Sequence, residues 1–261
     1  MKGMVFVGCS FTHGHGLWTY GDFSGKRQDD SPNEDKINTF ERFTQSQRFP
    51  RLVANYFNSW EFVRRDYSGD DENSIGLINH IFQIDSPIRY FENIKFDFED
   101  ISHLIFQTSY IDRCPFIYNQ ETKERKRLDH IDERHVVNTL LKWGFEDVDD
   151  YYDALRLQWY TEIKKTFLFL ESKGITCYIM SITDDYLNFI EEDSYMRDKF
   201  IEITYENKIF STIQDLFEYD KKLMIVNDTD VLKNPPFDLH PSLKCHKILS
   251  KSIIEKIENN G

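Results

Sequence analysis

Cysteine is scarce and scattered in this chain. The four thiols, Cys9, Cys114, Cys177 and Cys245, form no Cys-x-x-Cys pair, which argues against a zinc site. Cys9 and Cys177 lie in apolar, strand-like runs and read as buried free thiols suited to a reducing compartment. No apolar run reaches about 18 residues and no charged-then-apolar leader opens the chain, so neither a transmembrane helix nor a signal peptide is expected, and the cytoplasm is the expected location. Basic charge is also short. Lys and Arg number 32 against 45 Asp and Glu, a net charge of −13 at pH 7. Nucleic-acid binders present basic surfaces, so no nucleic-acid partner is expected, and no membrane partner either. The basic run from Lys123 to Arg127 reads as a solvated loop. There is no internal repeat and no low-complexity tract.

Hydrophobic residues make up 40% of the 261 positions and charged residues 30%, the balance of a folded chain with a substantial core. One domain spanning residues 1–261 is expected, with an irregular, charged and aromatic insertion around 113–150. Five strand-like runs are visible: Met4 to Cys9, Glu61 to Tyr67, His103 to Ser109, Ile175 to Ile182 and Lys222 to Val226. Helical spacing separates them. Pro50 fits the first turn of a helix over Phe49 to Phe57, and Leu155, Trp159, Ile163, Phe167 and Leu170 recur along a long helix over Tyr152 to Lys173 that Gly174 ends. Another helix carries Ile75, Ile78, Ile81 and Phe82, and a closing one runs from Ser242 to Glu258. The stretch from Trp18 to Thr39 reads as a long surface loop, and Asp184 to Tyr219 as mixed and partly helical. Nearly continuous apolar strands alternating with helices predict an α/β chain: a parallel sheet of about five strands in a three-layer α/β/α, flavodoxin-like arrangement.

The chemistry concentrates at two ends. The first strand breaks into Gly8-Cys9-Ser10-Phe11-Thr12-His13-Gly14, which sets Ser10 at the carboxyl end of a strand, where open α/β sheets place their ligands. Near the other terminus stands Asp238-Leu239-His240-Pro241. A serine hydroxyl needs a base within hydrogen-bond reach, and the base needs a third group to hold its tautomer. Ser10, His240 and Asp238 fit those roles. In a parallel sheet the end of strand one and the loop after strand five share an edge. A developing oxyanion also needs donors. The Ser10 N–H, Gly69 after strand two, and Gln107, Thr108 or Ser109 at the end of strand three are the candidates.

These blocks resemble the SGNH hydrolases, the GDSL-type esterases and lipases. The family's first block, Gly-Asp-Ser followed by a hydrophobe, Thr and Gly, is similar to Gly8 through Gly14, and its last block, Asp-x-(x)-His-Pro, is similar to Asp238-Leu239-His240-Pro241. The resemblance implies Ser10 as nucleophile, His240 as base and Asp238 as its orienter, with acyl chemistry that uses no metal and no other cofactor. It implies an oxyanion glycine, for which Gly69 fits by position; the Ser10 N–H, Asn73 and Ser109 are the candidates for the other donors, and His13, His15, Gln107 and Thr108 are the candidate pocket residues. Two departures stand out. Cys9 replaces the first-block Asp, and Gln107-Thr108-Ser109 occupies the place of the third-block Gly-x-Asn-Asp. The Gly-Cys-Ser-Phe-Thr variant also resembles SGNH-like proteins encoded by bacteriophages and some bacteria. For a phage-encoded chain the virion is the alternative location.

Plainer readings stand beside these. Ser10 can cap a helix, Gly69 can be a turn glycine, and Asp238 with His240 can cap the last helix. His13 and His15 with His240 and His246 make a metal reading, but no carboxylate is placed to complete the set. Cys9 ranks below Ser10 as nucleophile, because strand alternation points it toward the core. His80, His103, His130 and His135 have no visible partner. The expected function is hydrolysis of a small acyl ester, including O-acetyl groups on carbohydrate, so the expected partner is a small-molecule or glycan ester. The alternatives are an inactive SGNH-fold structural or glycan-binding protein and an acyltransferase using the same residues.

Overall fold

The computed structural model describes residues 2–8, 46–63, 98–108, 116–119, 124–127, 140–142, 144, 146–226 and 237–260. In chain order these hold β1 (Gly3–Val7), α1 (Phe49–Tyr56), β2 (Trp60–Val63), β3 (Ile101–Gln107), β4 (Phe116–Asn119), β5 (Glu124–Arg127), α2 (Val148–Ser172), β6 (Thr176–Met180), α3 (Leu187–Glu192), α4 (Ser194–Lys199), β7 (Ile203–Tyr205), β8 (Lys208–Phe210), α5 (Ile213–Tyr219), β9 (Met224–Val226), β10 (Phe237–Pro241) and α6 (Leu243–Asn260). The chain is of the α/β class. Its centre is a four-stranded parallel sheet in the order β2-β1-β3-β6.

Alternation sorts the sheet's side chains onto two faces. Val5, Val7, Leu104, Phe106, Cys177 and Ile179 pack with Trp159, Ile163, Phe167 and Leu170 of α2. Met4, Phe6, Ile105, Tyr178 and Met180 pack instead with Phe49 and Val53 of α1, Leu216 of α5, and Leu249 and Ile253 of α6. Both faces are apolar, so β1 is buried at every position, as the unbroken run Met-Val-Phe-Val requires. At Gly3 the Trp60 ring lies where a side chain would begin: a Cβ there would stand 2.2 Å from it. Cys177 is buried and free, and desolvation raises its thiol pKa, as the sequence expectation required of an inert core cysteine.

Several boundaries differ from expectation. Helix α2 begins four residues before Tyr152, because the Asp147 carboxylate accepts the Asp150 N–H at 2.8 Å and caps the helix there. At its other end Gly174 adopts φ +80°, and the Gly174 and Ile175 N–H groups close onto Glu171 O and Leu170 O. Strand β3 starts at Ile101, since pairing with Gly3 of β1 sets its register. The expected fifth strand pairs differently: β9 forms an antiparallel pair with β10, and the described parallel sheet has four strands. Within Asp184 to Tyr219 the chain makes α3, α4, the antiparallel hairpin β7–β8 and α5. The basic stretch Lys123 to Arg127, expected as a loop, contributes β5, antiparallel to β4. The 18–39 loop and the helix around Ile75 to Phe82 lie outside the described residues. Among the described residues, no helix is long and apolar enough to cross a membrane.

Candidate functional site

In the order β2-β1-β3-β6 the chain leaves β1 toward one side of the sheet and later returns on the other, so the topological switch point falls between the carboxyl ends of β1 and β3. Ser10 follows β1 by three residues, and Gln107 and Thr108 stand at the end of β3. Ser10, Cys9, His13, His15, Gly69, Asn73 and Ser109 lie outside the described residues. Gln107, Thr108 and His240 lie inside them, and Asp238 is placed by strand register opposite Ile225.

Thr108 and Gln107 are both buried, at 1% exposure each. The Thr108 N–H bonds Met180 O, extending the β3–β6 ladder by one rung. Past that rung the polar side chains form a chain. Thr108 Oγ1 lies 2.7 Å from Ser181 Oγ, and Ser181 Oγ donates to Thr183 O at 2.6 Å. A serine hydroxyl has one proton. That proton goes to the carbonyl, so Thr108 is the donor to Ser181. Thr183 Oγ1 donates to Asp185 Oδ2 at 2.6 Å, and Arg156 Nε of α2 donates to Asp185 Oδ1 at 3.2 Å. The proton of the Thr108 hydroxyl is therefore committed to the strand junction. Gln107, Thr108 and Ser109 are the sequence candidates for an oxyanion donor at this strand end, and the Thr108 hydroxyl gives its proton to Ser181.

The histidine block is built into a strand irregularity. Asp238 pairs with Ile225 and Pro241 with Met224, so Leu239 and His240 are two extra residues on β10 against adjacent partners on β9. Bulges of this kind bend a strand and re-aim its side chains, and they recur beside functional sites. His240 is half-buried. Immediately after it the chain is gripped: the Ser242 N–H bonds Leu223 O at 2.7 Å, and Ser242 Oγ accepts the Cys245 N–H at 3.3 Å, starting α6. One turn on, His246 is fully buried and stacks on Phe49 with ring centroids 5.7 Å apart. Its Nδ1 accepts the Phe49 N–H at 3.2 Å. Phe49 in turn meets Phe6 of β1 edge-on at 6.2 Å. This stack joins the last strand and helix to the carboxyl half of β1.

Beside His246, Arg48 and Arg51 converge on Glu61 Oε1 at 2.8 and 3.0 Å, and the Glu61 side chain is 2% exposed. Burial first, then the charges of Arg48 and His240, push the His246 pKa down to about 3. His246 is thus a neutral core imidazole. Its lone pair is engaged by Phe49, which removes it from the metal reading that the spacing suggested. Among the described residues, no group of three His, Cys, Asp or Glu is arranged to hold a metal ion.

His103, which had no visible partner in the sequence, lies between Phe57 and Tyr178 in a ring stack, with centroids 6.4 and 6.3 Å away. Its Nδ1 is 2.8 Å from Ser102 Oγ. Ser102 donates its proton to Gly3 O, so His103 Nδ1–H is the donor to Ser102. A base must accept the serine proton. This pair, at the amino end of the sheet, has the opposite polarity and is structural.

No family model matches the chain, and no curated protein or solved structure matches it.

Proposed function

We propose that the protein is a serine hydrolase of SGNH type acting on a small acyl ester, with Ser10 as nucleophile, His240 as base and Asp238 as its orienter. The observation that carries the reading is the Phe6–Phe49–His246 stack, which supports a meeting of the two catalytic blocks at one sheet edge. Phe6 lies four residues before Ser10 and His246 six residues after His240. The switch-point topology and the bulge at Leu239–His240 support the same edge. The fold belonging to this reading is a single three-layer domain with about five strands and an insertion around 113–150; helices packed against both sheet faces support it. In the proposed reaction Ser10 Oγ adds to the ester carbonyl carbon while His240 takes its proton. The alcohol leaves with that proton, and water activated by His240 releases the acid. An O-acetylated carbohydrate is the substrate class proposed by analogy.

A second reading, a non-catalytic SGNH-type binding protein, is favoured by the polarity of Thr108. The Thr108 hydroxyl at the end of β3 commits its one proton to Ser181 and leaves none for an oxyanion. Loss of one such donor costs about 10²–10³ in rate.

Hydrolysis of a short-chain p-nitrophenyl ester by wild type and Ser10→Ala, with mass spectrometry after a fluorophosphonate probe, separates the two. Turnover lost in the variant and a label on Ser10 are expected. Absence of both turnover and label in the wild type would move the assignment to the binding protein.

A further inference from the structure

His240 lies two residues before Ser242, and Ser242 is held at both backbone ends: its N–H by Leu223 O at 2.7 Å and its carbonyl by the His246 N–H at 2.9 Å. His246 is itself fixed from outside the helix. The Phe49 N–H reaches its Nδ1 at 3.2 Å across 197 residues of sequence, and the Phe49 ring stacks on it. A nitrogen that accepts an N–H carries no proton, so the neutral ring must be protonated on Nε2. Nε2 is fully buried and has no acceptor among the described residues. The hydrogen bond from this ring to α1 therefore runs through Nδ1. Among the described residues the charged and titratable groups that act on the ring are Arg48 just before α1, itself paired with Glu61 of β2, and His240 on β10.

We propose that His246 is the positioning residue of the histidine block: a buried imidazole in the single Nε2–H tautomer that ties the start of α6 to the start of α1 and so sets where the His240 ring stands. The proposal rests on the reading of His240 as the working base. It goes beyond that reading by assigning a role to a residue outside the triad, one whose burial rules out contact with substrate.

The test is nuclear magnetic resonance on histidine-labelled protein, read at His240 and His246. In the wild type the His246 ring is expected to give the Nε2–H pattern unchanged from about pH 8 to about pH 5. His246→Asn places an oxygen close to the Nδ1 position and should leave the His240 titration curve as in wild type. His246→Leu deletes the acceptor and should displace that curve. Where the leucine variant does not fold, His246→Gln, which puts its amide near the Nε2 position instead, takes its place. A wild-type ring protonated on Nδ1, or an unchanged His240 curve in a folded leucine or glutamine variant, overturns the proposal. None of these readouts requires an ester to be cleaved. Failure of Ser10 labelling with the expected histidine behaviour would count against the hydrolase alone.

Discussion

At the scale of single residues, the direction of one proton decides what the end of β3 can do. Ser181 gives its hydroxyl proton to Thr183 O and receives that of Thr108. Replacing each partner therefore has unequal cost. Thr108→Val removes one donor and leaves Ser181 bonded to the carbonyl, an expected loss of about 1 kcal/mol. Ser181→Ala strands both the Thr108 hydroxyl and the Thr183 carbonyl in a buried site, an expected loss of about 2–3 kcal/mol. Urea unfolding of the two variants checks the order; equal losses would mean that the proton runs the other way. None of this polarity is legible in the sequence, because Gln107-Thr108-Ser109 fixes residue types and not the partners that strand β6 brings alongside. His246 is a different case. It lies on the apolar stripe of α6 with Leu249, Ile253 and Ile257, all buried, and that spacing is the signal for a core histidine that the metal reading passed over.

At the scale of elements, junctions carry more than single helices do. Asp193 is the clearest. Its carboxylate caps α4 by accepting the Tyr195 N–H at 3.1 Å, and it also holds Tyr160 Oη at 2.6 Å and Lys164 Nζ of α2. Those partners, Lys164 first and Tyr160 next, hold its pKa at about 2. Asp193→Ala is expected to lower stability by about 2 kcal/mol, one part lost cap and one part an unpartnered Tyr160 hydroxyl, as read from thermal unfolding. Elements announced by strong local signals were legible: β1 by its apolar run, and the end of α2 by Gly174. The hairpin β7–β8 was not. Its turn uses Glu206 and Asn207 at φ +49° and +61°, the left-handed pair of a two-residue hairpin loop, without the glycine that usually marks one. Strand β10 was read as loop for a similar reason. Its two-residue bulge breaks the alternation that identifies a strand.

For the whole molecule, burial of a neutral histidine ties stability to pH. The folded His246 binds a proton only near pH 3, whereas the unfolded residue binds one near its ordinary value of 6.5. Between those values the unfolded state holds more protons, so stability is complete above about pH 6.5 and falls as pH drops toward 3. At 1.36 kcal/mol per pH unit this group contributes a loss of about 2 kcal/mol on going from pH 7 to pH 5. Urea unfolding at the two pH values should show that loss in wild type and less of it in His246→Asn, which has no proton to take up. An equal pH dependence in both would place the titration elsewhere.

The Phe49–His246 link also has a consequence for how the chain is made. The sheet face carrying Met4 and Phe6 is covered by helices far apart in sequence, with Cys245, Leu249, Ile253 and Ile257 of α6 synthesised long after Phe49 and Val53 of α1. Until α6 is made, that face lacks part of its cover, and the α1 donor at Phe49 has no imidazole to meet. Contacts of such long sequence separation form late and slowly. A chain released before residue 243 would leave the translation machinery with an oily, half-covered sheet, the kind of surface that chaperones capture and that aggregates when they do not.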